Sequence, residues 1–448
     1  MFSRYLLSAI SLAAAGIFGA AAAAAAPGGD EGLIAGAPET PAELSEAPPV
    51  DYPDVRLLRG YLSDGPAAFN PADPKQLVVG IGFPGDYKCF VKRSTDGGKT
   101  WGALVPLPRA EGSGRHYCSS SAPAISYSAN GRRLYAAYTY VKPVSSNSAY
   151  VVLVSVSSDD GVTWSMPKEV VALGDASEEE GFIDIQLAAQ ADGPWLYLAM
   201  NYLGYHGRFL YFSSSPDRGS QWTPVKQIAV AFPDEGTDLH DIALAAGQGG
   251  TVLLAYGWSE ILSDYRFALQ VARSTDHGAT FLYGTAAQRS AATDTGRLLL
   301  SQPAIGIGRL GTAHLVYNRG GEAILYKYSL PPYRTWSATP ARLDTGISAG
   351  ELSAPQLAVG ACGRASILHA SWVQNRTGSG TILYARKVAQ TGHGWSDPLA
   401  VGTSSVRLGG NQIAGAGPKA FPVWAAFSGT AGNSTLFGSR VSSGVTCP

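Results

Sequence analysis

The chain has 448 residues, with 33 Lys plus Arg against 34 Asp plus Glu and a net charge of −1. Only 15% of the residues are charged, while 54 are Gly and 28 are Pro. Globular proteins carry about 25% charged residues and about 7% Gly, so this composition favours short strands and tight turns over long helices. It excludes a coiled coil, and the absence of a basic block argues against a nucleic acid or an anionic membrane as partner.

Residues 1–26 have the pattern of a secretory signal peptide. Arg4 supplies the positive n-region, an apolar stretch follows from Tyr5 to Phe18, and an alanine run offers small residues for cleavage. Residues 27–54 are rich in Pro, Ala and acidic residues and predict a flexible acidic linker. We therefore expect a secreted or periplasmic protein that has no membrane attachment after signal cleavage. The alternative is that the apolar stretch anchors the chain.

An eight-residue pattern, Ser-x-Asp-x-Gly-x-Thr-Trp, recurs along the chain. Two near-perfect copies occupy residues 94–101 and 157–164, and looser copies occupy residues 215–222 and 274–281. Two degenerate copies end near Trp336 and Trp395. The copies lie 55 to 63 residues apart, which indicates a repeat architecture.

Each position of the pattern has a structural reason. The Asp side chain accepts hydrogen bonds from nearby backbone N–H groups, the Gly supplies a positive φ, and the aromatic residue packs between sheets. The pattern resembles the Asp box, or bacterial neuraminidase repeat, of sialidases and other secreted β-propellers. The resemblance runs from about residue 67 to the C-terminus. It implies a propeller in which the box is a turn on the face opposite the active site.

Short apolar strands precede each box, and counting them gives seven units. We therefore predict that residues 55–448 form an all-β propeller of four-stranded blades, with seven blades and six as the alternative. The seventh unit lacks a fourth strand. Residues 55–62 are predicted to supply it, which would close the ring and remove an exposed sheet edge.

The four cysteines fit the expected strand directions. If the boxes lie on the bottom face, Cys89 and Cys118 lie near the top, whereas Cys362 and Cys447 lie near the bottom. Of the three possible pairings, only Cys89 with Cys118 and Cys362 with Cys447 keeps both partners on one face.

Four arginines recur in successive units, 14 to 19 residues before the aromatic position of each box. They are Arg208, Arg266, Arg319 and Arg376. If they converge on the top face, they form a binding site for a carboxylate, because a guanidinium binds a carboxylate through two hydrogen bonds. The alternative is that they are solvated ends of strands. His116, His240 and Trp258 complete the set of predicted substrate-binding residues.

The resemblance to sialidases implies three arginines on the sugar carboxylate, a Tyr nucleophile assisted by a Glu, and an Asp acid. No Phe-Arg-Ile-Pro segment precedes the first box, and residues 69–74 read Phe-Asn-Pro-Ala-Asp-Pro instead. No catalytic residue is therefore carried over from that family. The candidates available in this sequence are Tyr202 or Tyr205 with Glu235 or Asp238.

These features predict an exported, monomeric propeller that acts on a glycan as a glycoside hydrolase, with an anionic sugar as substrate. A polysaccharide lyase and a non-catalytic propeller that binds glycan or protein are the alternatives, so enzymatic activity itself is open. The seven histidines lack metal-ligand spacing such as His-Glu-x-x-His, and we expect neither a metal nor another cofactor.

Overall fold

A computed structural model describes residues 50–60, 66–83, 88–109, 122–144, 147–173, 181–260, 265–291, 299–348, 350–389, 394–427 and 434–444. In these residues the chain forms seven antiparallel sheets of four strands each. The predicted signal peptide and nearly all of the predicted linker lie outside the described residues. No helix in the described ranges has the length and apolar character to cross a membrane.

The strands follow one another blade by blade along the chain. Blade 1 contains β2 (Ala67–Phe69), β3 (Leu77–Phe83), β4 (Lys88–Ser94) and β5 (Leu104–Pro106), and blade 2 contains β6 (Ala124–Tyr127), β7 (Leu134–Val144), β8 (Asn147–Ser157) and β9 (Lys168–Leu173). Blade 3 contains β10 (Gly181–Ala189), β11 (Leu196–Gly204), β12 (Gly207–Ser215) and β13 (Lys226–Ala231), and a 3-10 helix (Pro233–Glu235) leads to blade 4. Blade 4 contains β14 (Thr237–Ala246), β15 (Val252–Glu260), β16 (Tyr265–Ser274) and β17 (Leu282–Ala291), and blade 5 contains β18 (Leu300–Ile307), β19 (Ala313–Arg319), β20 (Ala323–Ser329) and β21 (Ala341–Arg342). Blade 6 contains β22 (Glu351–Cys362), β23 (Ala365–Arg376), β24 (Ser379–Val388) and β25 (Leu399–Ser404), and blade 7 contains β26 (Leu408–Ala416), β27 (Lys419–Phe427), β28 (Ser434–Ser442) and β1 (Val50–Gly60).

The first strand of each blade contacts the first strands of both neighbouring blades, from β2 round to β26 and back to β2. These strands therefore surround a central axis, and the sheets radiate outward from it as the blades of a propeller. The seven-bladed prediction is confirmed, and the six-bladed alternative is wrong.

The ring is closed by the N-terminal strand. β1 pairs antiparallel with β28, from Val50 opposite Val441 to Gly60 opposite Ser434. The predicted closure is confirmed, and the strand begins at Val50, inside the segment that the sequence predicted to be linker. The closing strand gives β28 a partner and removes the unpaired edge that a three-stranded blade would leave.

The boxes join the third strand of a blade to the fourth. In the first box the Ser94 hydroxyl donates to Asp96 Oδ1 at 2.8 Å, and the Thr100 N–H donates to the same oxygen at 2.9 Å. Gly98 N–H in turn donates to the Ser94 hydroxyl at 2.8 Å. The fourth position of each box is left-handed, with φ between 56° and 73°, at Gly97, Asp160, Arg218 and His277.

Each box lies beside the turn that joins the first two strands of its own blade. Arg218 N–H donates to Pro194 O at 3.0 Å, and His277 N–H donates to Gly250 O at 3.0 Å. Boxes and first turns therefore share one face of the ring, which we call the bottom face. The turns between second and third strands, and the connections between blades, lie on the opposite face, which we call the top face.

The core consists of apolar layers between neighbouring blades. The box aromatic residue of one blade packs on its neighbour, as Trp101 of blade 1 does on Phe421 of blade 7, with ring centroids 5.7 Å apart. Cys89 and Cys362 are buried, and the described ranges contain no free cysteine. Cys118 and Cys447 lie outside the described residues, so the two disulfides stay predictions.

Candidate functional site

The inner strands of five successive blades are irregular in their upper halves. Their pairing registers shift between Phe182 and Asp184, His240 and Ile242, Ser301 and Ala304, Ser353 and Gln356, and Leu408 and Asn411. Three residues in these bulges have left-handed backbones without being glycine: Asp241, Gln302 and Ala354, with φ of 47°, 51° and 47°. Bulges and non-glycine residues at positive φ concentrate at functional sites, where they redirect side chains.

The bulges are linked from one blade to the next by hydrogen bonds. Gln302 N–H donates to Asp241 Oδ2 at 2.9 Å, and Ala354 N–H donates to Gln302 Oε1 at 2.7 Å. Asn411 Nδ2 then donates to Ala354 O at 3.2 Å. This chain of contacts fixes the inner strands of blades 4 to 7 relative to one another, so the side chains around the axis are held in place.

These strands enclose a cavity of about 210 Å³, which we call the channel cavity. Its polar lining is provided by Asp184, Gln186, Asp241, Gln302, Gln356, Asn411 and Gln412. Two carboxylic acids and five side-chain amides thus surround a small space. Such a lining can accept from and donate to the hydroxyl groups of a sugar, and it places two groups capable of acid or base chemistry beside them.

Asp184 is the residue in this cavity whose protonation is most affected by its surroundings. Its side chain keeps some accessible surface because it faces the cavity, but protein atoms surround it. Burial raises the pKa of Asp184 to about 7, against the opposing effect of the Gln186 amide, which donates to Oδ1 at 3.1 Å. The negative charge of Asp241 raises this pKa further. Near neutral pH, Asp184 is therefore available in both the acid and the carboxylate form.

A second set of contacts above the channel cavity joins neighbouring blades. Four inner strands each have a leucine whose carbonyl oxygen accepts a hydrogen bond from a side chain of the preceding blade. The pairs are Arg208 Nη1 to Leu239 O at 3.2 Å, His240 Nε2 to Leu300 O at 3.3 Å, Asn318 Nδ2 to Leu352 O at 2.9 Å, and Asn375 Nδ2 to Leu408 O at 2.9 Å. Arg208 and His240, predicted to bind substrate, therefore also hold blades together.

The four predicted arginines all lie at the top ends of strands, but on two kinds of strand. Arg208 and Arg266 begin third strands, whereas Arg319 and Arg376 end second strands. Arg208 Nε lies 3.2 Å from Asp238 Oδ1, and Arg266 Nη1 lies 3.9 Å from Glu260 Oε2. Arg376 contacts Ser348 and Gln374. These contacts do not bring the four arginines to one common partner, so the shared carboxylate site stays a prediction.

The candidate tyrosines differ in exposure. Tyr202 is 5% exposed and packs against Phe182, with ring centroids 5.2 Å apart. Tyr205 is 73% exposed at the tip of the β11–β12 hairpin, where its ring meets His206 edge-on at 4.5 Å. Glu235 is exposed in the 3-10 helix.

The contacts given above join Tyr202 to Phe182 and Tyr205 to His206, so the predicted pairing of a tyrosine with Glu235 or Asp238 stays a prediction. Trp258 is half-buried and packs against the apolar layer between blades 3 and 4. His116 lies outside the described residues.

The comparisons with known proteins agree with the repeat pattern. Residues 85–284 match the sequence model of the BNR repeat-like domain. The matched stretch contains the first four boxes and lies within the seven-bladed β-propeller. No curated protein sequence matches the chain.

Three solved structures are similar to this chain at low sequence identity. The Penicillium chrysogenum α-L-arabinanase is 14% identical to it, with 87% of this chain and 98% of that chain covered and a TM-score of 0.48. The Ruminococcus gnavus intramolecular trans-sialidase is 14% identical over 85% of this chain and 94% of its own, with a TM-score of 0.45. The polysaccharide lyase Uly1 is 10% identical over 82% and 88%, with a TM-score of 0.49.

The site residues predicted from the sequence do not include Asp184 and Asp241. A signal for them exists in the repeat, because each Asp directly precedes the isoleucine that opens its unit, Ile185 and Ile242. Aligning the units of the propeller therefore shows an acidic residue at one position in two successive blades. The bulges that turn this position toward the axis have no sequence pattern of their own.

Proposed function

We propose that this propeller acts on a glycan at the top end of its channel cavity, as a glycoside hydrolase that uses Asp184 and Asp241. One observation carries the proposal: two carboxylic acids from adjacent inner strands face one amide-lined cavity, and burial keeps one of them partly protonated near pH 7. Glycoside hydrolysis generally requires a pair of carboxyl groups, one protonated and one ionised.

The roles follow from the environment of each group. Asp184 in its acid form donates a proton to the glycosidic oxygen of the leaving group. Asp241, whose Oδ2 is oriented by the Gln302 N–H, faces the positive charge that develops at the anomeric carbon, or accepts a proton from the attacking water. The side-chain amides of Gln186, Gln356 and Gln412 are placed to hydrogen-bond sugar hydroxyls.

The proposal includes a substrate whose sugar carries a negative charge. Arg266 at the top rim is 51% exposed, and its 3.9 Å separation from Glu260 makes a weak ion pair. A sugar carboxylate can therefore compete with Glu260 for the guanidinium.

Export to a secreted or periplasmic location, as residues 1–26 suggest, is also proposed. N-terminal sequencing of the mature protein from each cell fraction tests it.

A non-catalytic glycan-binding propeller is the second candidate. The inter-blade contacts of Arg208 and His240 favour it. Both residues are predicted to bind substrate, but these contacts explain their presence without an enzymatic reaction. In that case the channel cavity would bind a sugar without hydrolysing it. A polysaccharide lyase would use the same acid–base pair to remove a proton beside a uronic-acid carboxylate.

The test is a substrate screen of the purified propeller with neutral arabinans, sialosides and polyuronates. Released reducing sugar reports hydrolysis, and the ultraviolet absorbance of unsaturated sugars reports lyase activity. We expect Asp184→Asn and Asp241→Asn each to lower kcat by about 100-fold or more, because each removes one member of the acid–base pair. Asn is accepted at the left-handed position of Asp241.

Asp397→Asn, an exposed carboxylate near the bottom of blade 6, is the matched control and should leave kcat unchanged. Hydrolysis that persists in both channel variants would overturn the assignment. Binding without turnover in the native protein would favour the second candidate.

A further inference from the structure

The bottom face carries a concave groove between blades 2 and 3. It encloses about 760 Å³, and three arginines line it, Arg132 and Arg133 from the β6–β7 turn and Arg218 from the third box. All three are exposed. We call this feature the arginine groove.

Among the residues that the structure describes, none provides a counter-charge bound to the three guanidinium groups. Within the described ranges, no ion pair or side-chain hydrogen bond engages Arg132, Arg133 or Arg218. The groove contains one carboxylate, Asp192, whose Oδ2 accepts a hydrogen bond from Gly249 N–H at 3.3 Å. Like charges gathered in a concavity repel one another unless an anion neutralises them, and a concave basic wall concentrates anions from solution.

The backbone that carries these arginines is rigid. Arg133 N–H donates to the Ser128 hydroxyl at 3.0 Å, and Arg132 N–H donates to Asn130 Oδ1 at 3.1 Å. Asn70 of blade 1 donates to Gly131 O at 2.9 Å and holds the same turn from its other side. These bonds hold the Cα atoms of the arginines in place. The binding of an anion therefore has to immobilise only the side chains, which lowers the entropy cost of binding.

Two of the arginines, from different blades, line the groove together with a buried tyrosine. Tyr135 is 2% exposed, and burial raises the pKa of its phenol group, whereas the charges of Arg133 and Arg218 oppose the rise. The groove wall therefore combines positive charge from blade 2 and from blade 3.

The groove continues toward the axis. Ala129 and Ala191 line both the arginine groove and a second depression of about 840 Å³ that the first turns of blades 2 to 6 surround. The two form one long concavity. Apart from the buried Tyr135, its apolar lining near the arginines consists of small residues such as Ala129 and Pro194, whereas protein–protein interfaces are enriched in large aromatic anchors.

We propose that the arginine groove is a second glycan-binding site, on the face opposite the channel cavity, for a linear polysaccharide that carries carboxylate or sulfate groups. A guanidinium pairs with either oxyanion through two parallel hydrogen bonds, and the long concavity accommodates neighbouring sugar units. The site would hold the polymer independently of any reaction at Asp184 and Asp241.

The experiment measures binding of the full chain to polygalacturonate, dextran sulfate and neutral dextran by isothermal titration calorimetry at low ionic strength. We expect the wild type to bind an anionic polymer with an affinity that falls as salt rises, and not to bind neutral dextran. Arg133→Gln with Arg218→Asn should weaken binding by about tenfold or more, because two charge-assisted contacts are lost.

Asn is chosen at position 218 because it accepts the left-handed backbone found there, where φ is 63°. Arg56→Gln is the matched control: Arg56 is exposed on the closing strand of blade 7, does not line the concavity, and should change the affinity by less than about twofold. Circular dichroism confirms that each variant is folded.

A preference for one polymer identifies the anion, and either preference supports the site. Absence of binding to both anionic polymers, or equal affinity in the double variant and wild type, would overturn it. Arg133→Gln with Arg218→Asn should leave kcat for a short oligosaccharide substrate at the channel cavity unchanged, which separates this site from the proposed reaction.

Discussion

The side-chain amide of Asn375 makes two hydrogen bonds of 2.9 Å to the backbone of Leu408 in the next blade, donating to its carbonyl oxygen and accepting from its N–H. Both residues are buried, Asn375 at 6% and Leu408 at 4% exposure. One side chain thus satisfies both polar groups of a backbone position at the entry to an inner strand. The contact joins blades 6 and 7.

Asn375→Ala should destabilise the propeller by about 2–4 kcal/mol, because a buried N–H and a buried carbonyl each lose their partner. Urea denaturation followed by tryptophan fluorescence measures the change. Gln248→Ala, at an exposed turn on the bottom face, is the control and should shift the midpoint little. An equal midpoint for Asn375→Ala and wild type would show that water replaces the amide.

Asp184 should make the stability of the propeller fall as pH rises. Its pKa is raised to about 7 in the folded state, above the value near 4 in an unfolded chain. Ionisation is therefore more costly in the folded protein, and the penalty grows between about pH 4 and pH 7. Asp184→Asn removes this penalty, so the variant should gain stability over the wild type at pH 8 and none at pH 4.

Thermal unfolding at these two pH values provides the measurement. Asp397→Asn, whose carboxylate is exposed, should show no pH-dependent gain. If Asp184→Asn were destabilised equally at both pH values, folding would not raise the pKa of Asp184 and the assignment would be wrong.

The position of Gly278 in the fourth box leaves no room for a side chain and has a backbone conformation that favours glycine. Its φ is 81°, and a Cβ there would lie 2.1 Å from the ring of Phe212. Gly278→Ala should therefore cost about 3 kcal/mol or more, since positive-φ strain adds to a steric clash in the core. Gly249→Ala is a matched control, because φ is 60° and nothing lies within 4 Å of its added Cβ.

The control should lose about 1 kcal/mol from backbone strain alone. Differential scanning calorimetry of the two variants separates the contributions. Equal melting temperatures would mean that Phe212 moves aside at no cost.

The carboxylates of the boxes should protect the propeller against acid. Burial alone would raise the pKa of Asp96, but hydrogen bonds from the side chain and N–H of Thr100 and from Ser94 lower it to about 2. Hydrogen bonds from Thr280 and Ser274 likewise lower the pKa of Asp276 to about 2. Their stabilising effect is present above about pH 4 and is lost as the pH falls toward 2.

Asp96→Asn with Asp276→Asn should therefore be less stable than the wild type at pH 6, and the difference should shrink by pH 2. Urea denaturation at the two pH values measures it. The exposed pair Asp234→Asn and Asp397→Asn is the control with the same change in charge. A stability difference between the double variant and wild type that does not depend on pH would rule out the carboxylate charge as its cause.

The architecture could be predicted from the sequence because its determinants are local and repeated. Ser94, Asp96 and Thr100 make their bonds within one turn, so the repeated box locates the bottom face, and the apolar strands around it give the number of blades. The closing strand followed from a missing fourth strand at one end of the chain and an unused strand at the other.

The site could not be predicted to the same extent, because it depends on contacts between blades. Arg208 and Arg376 have similar spacing to their boxes, yet they lie on different strands, since hairpin lengths differ between blades 3 and 6. His240 reaches Leu300 of the following blade, a contact that no linear pattern encodes. Asp241 faces the channel cavity because a single bulge shifts its register.

The closing strand also places two distant points of the chain side by side. Val50 pairs with Val441, so the start of β1 and the last residues of β28 are neighbours on the bottom face. A short loop joining them would leave every strand pairing intact, and new ends could be opened at any exposed first turn. The ring therefore does not depend on the order in which its blades follow one another along the chain. A circularly permuted chain that begins and ends between β18 and β19 should assemble the same ring.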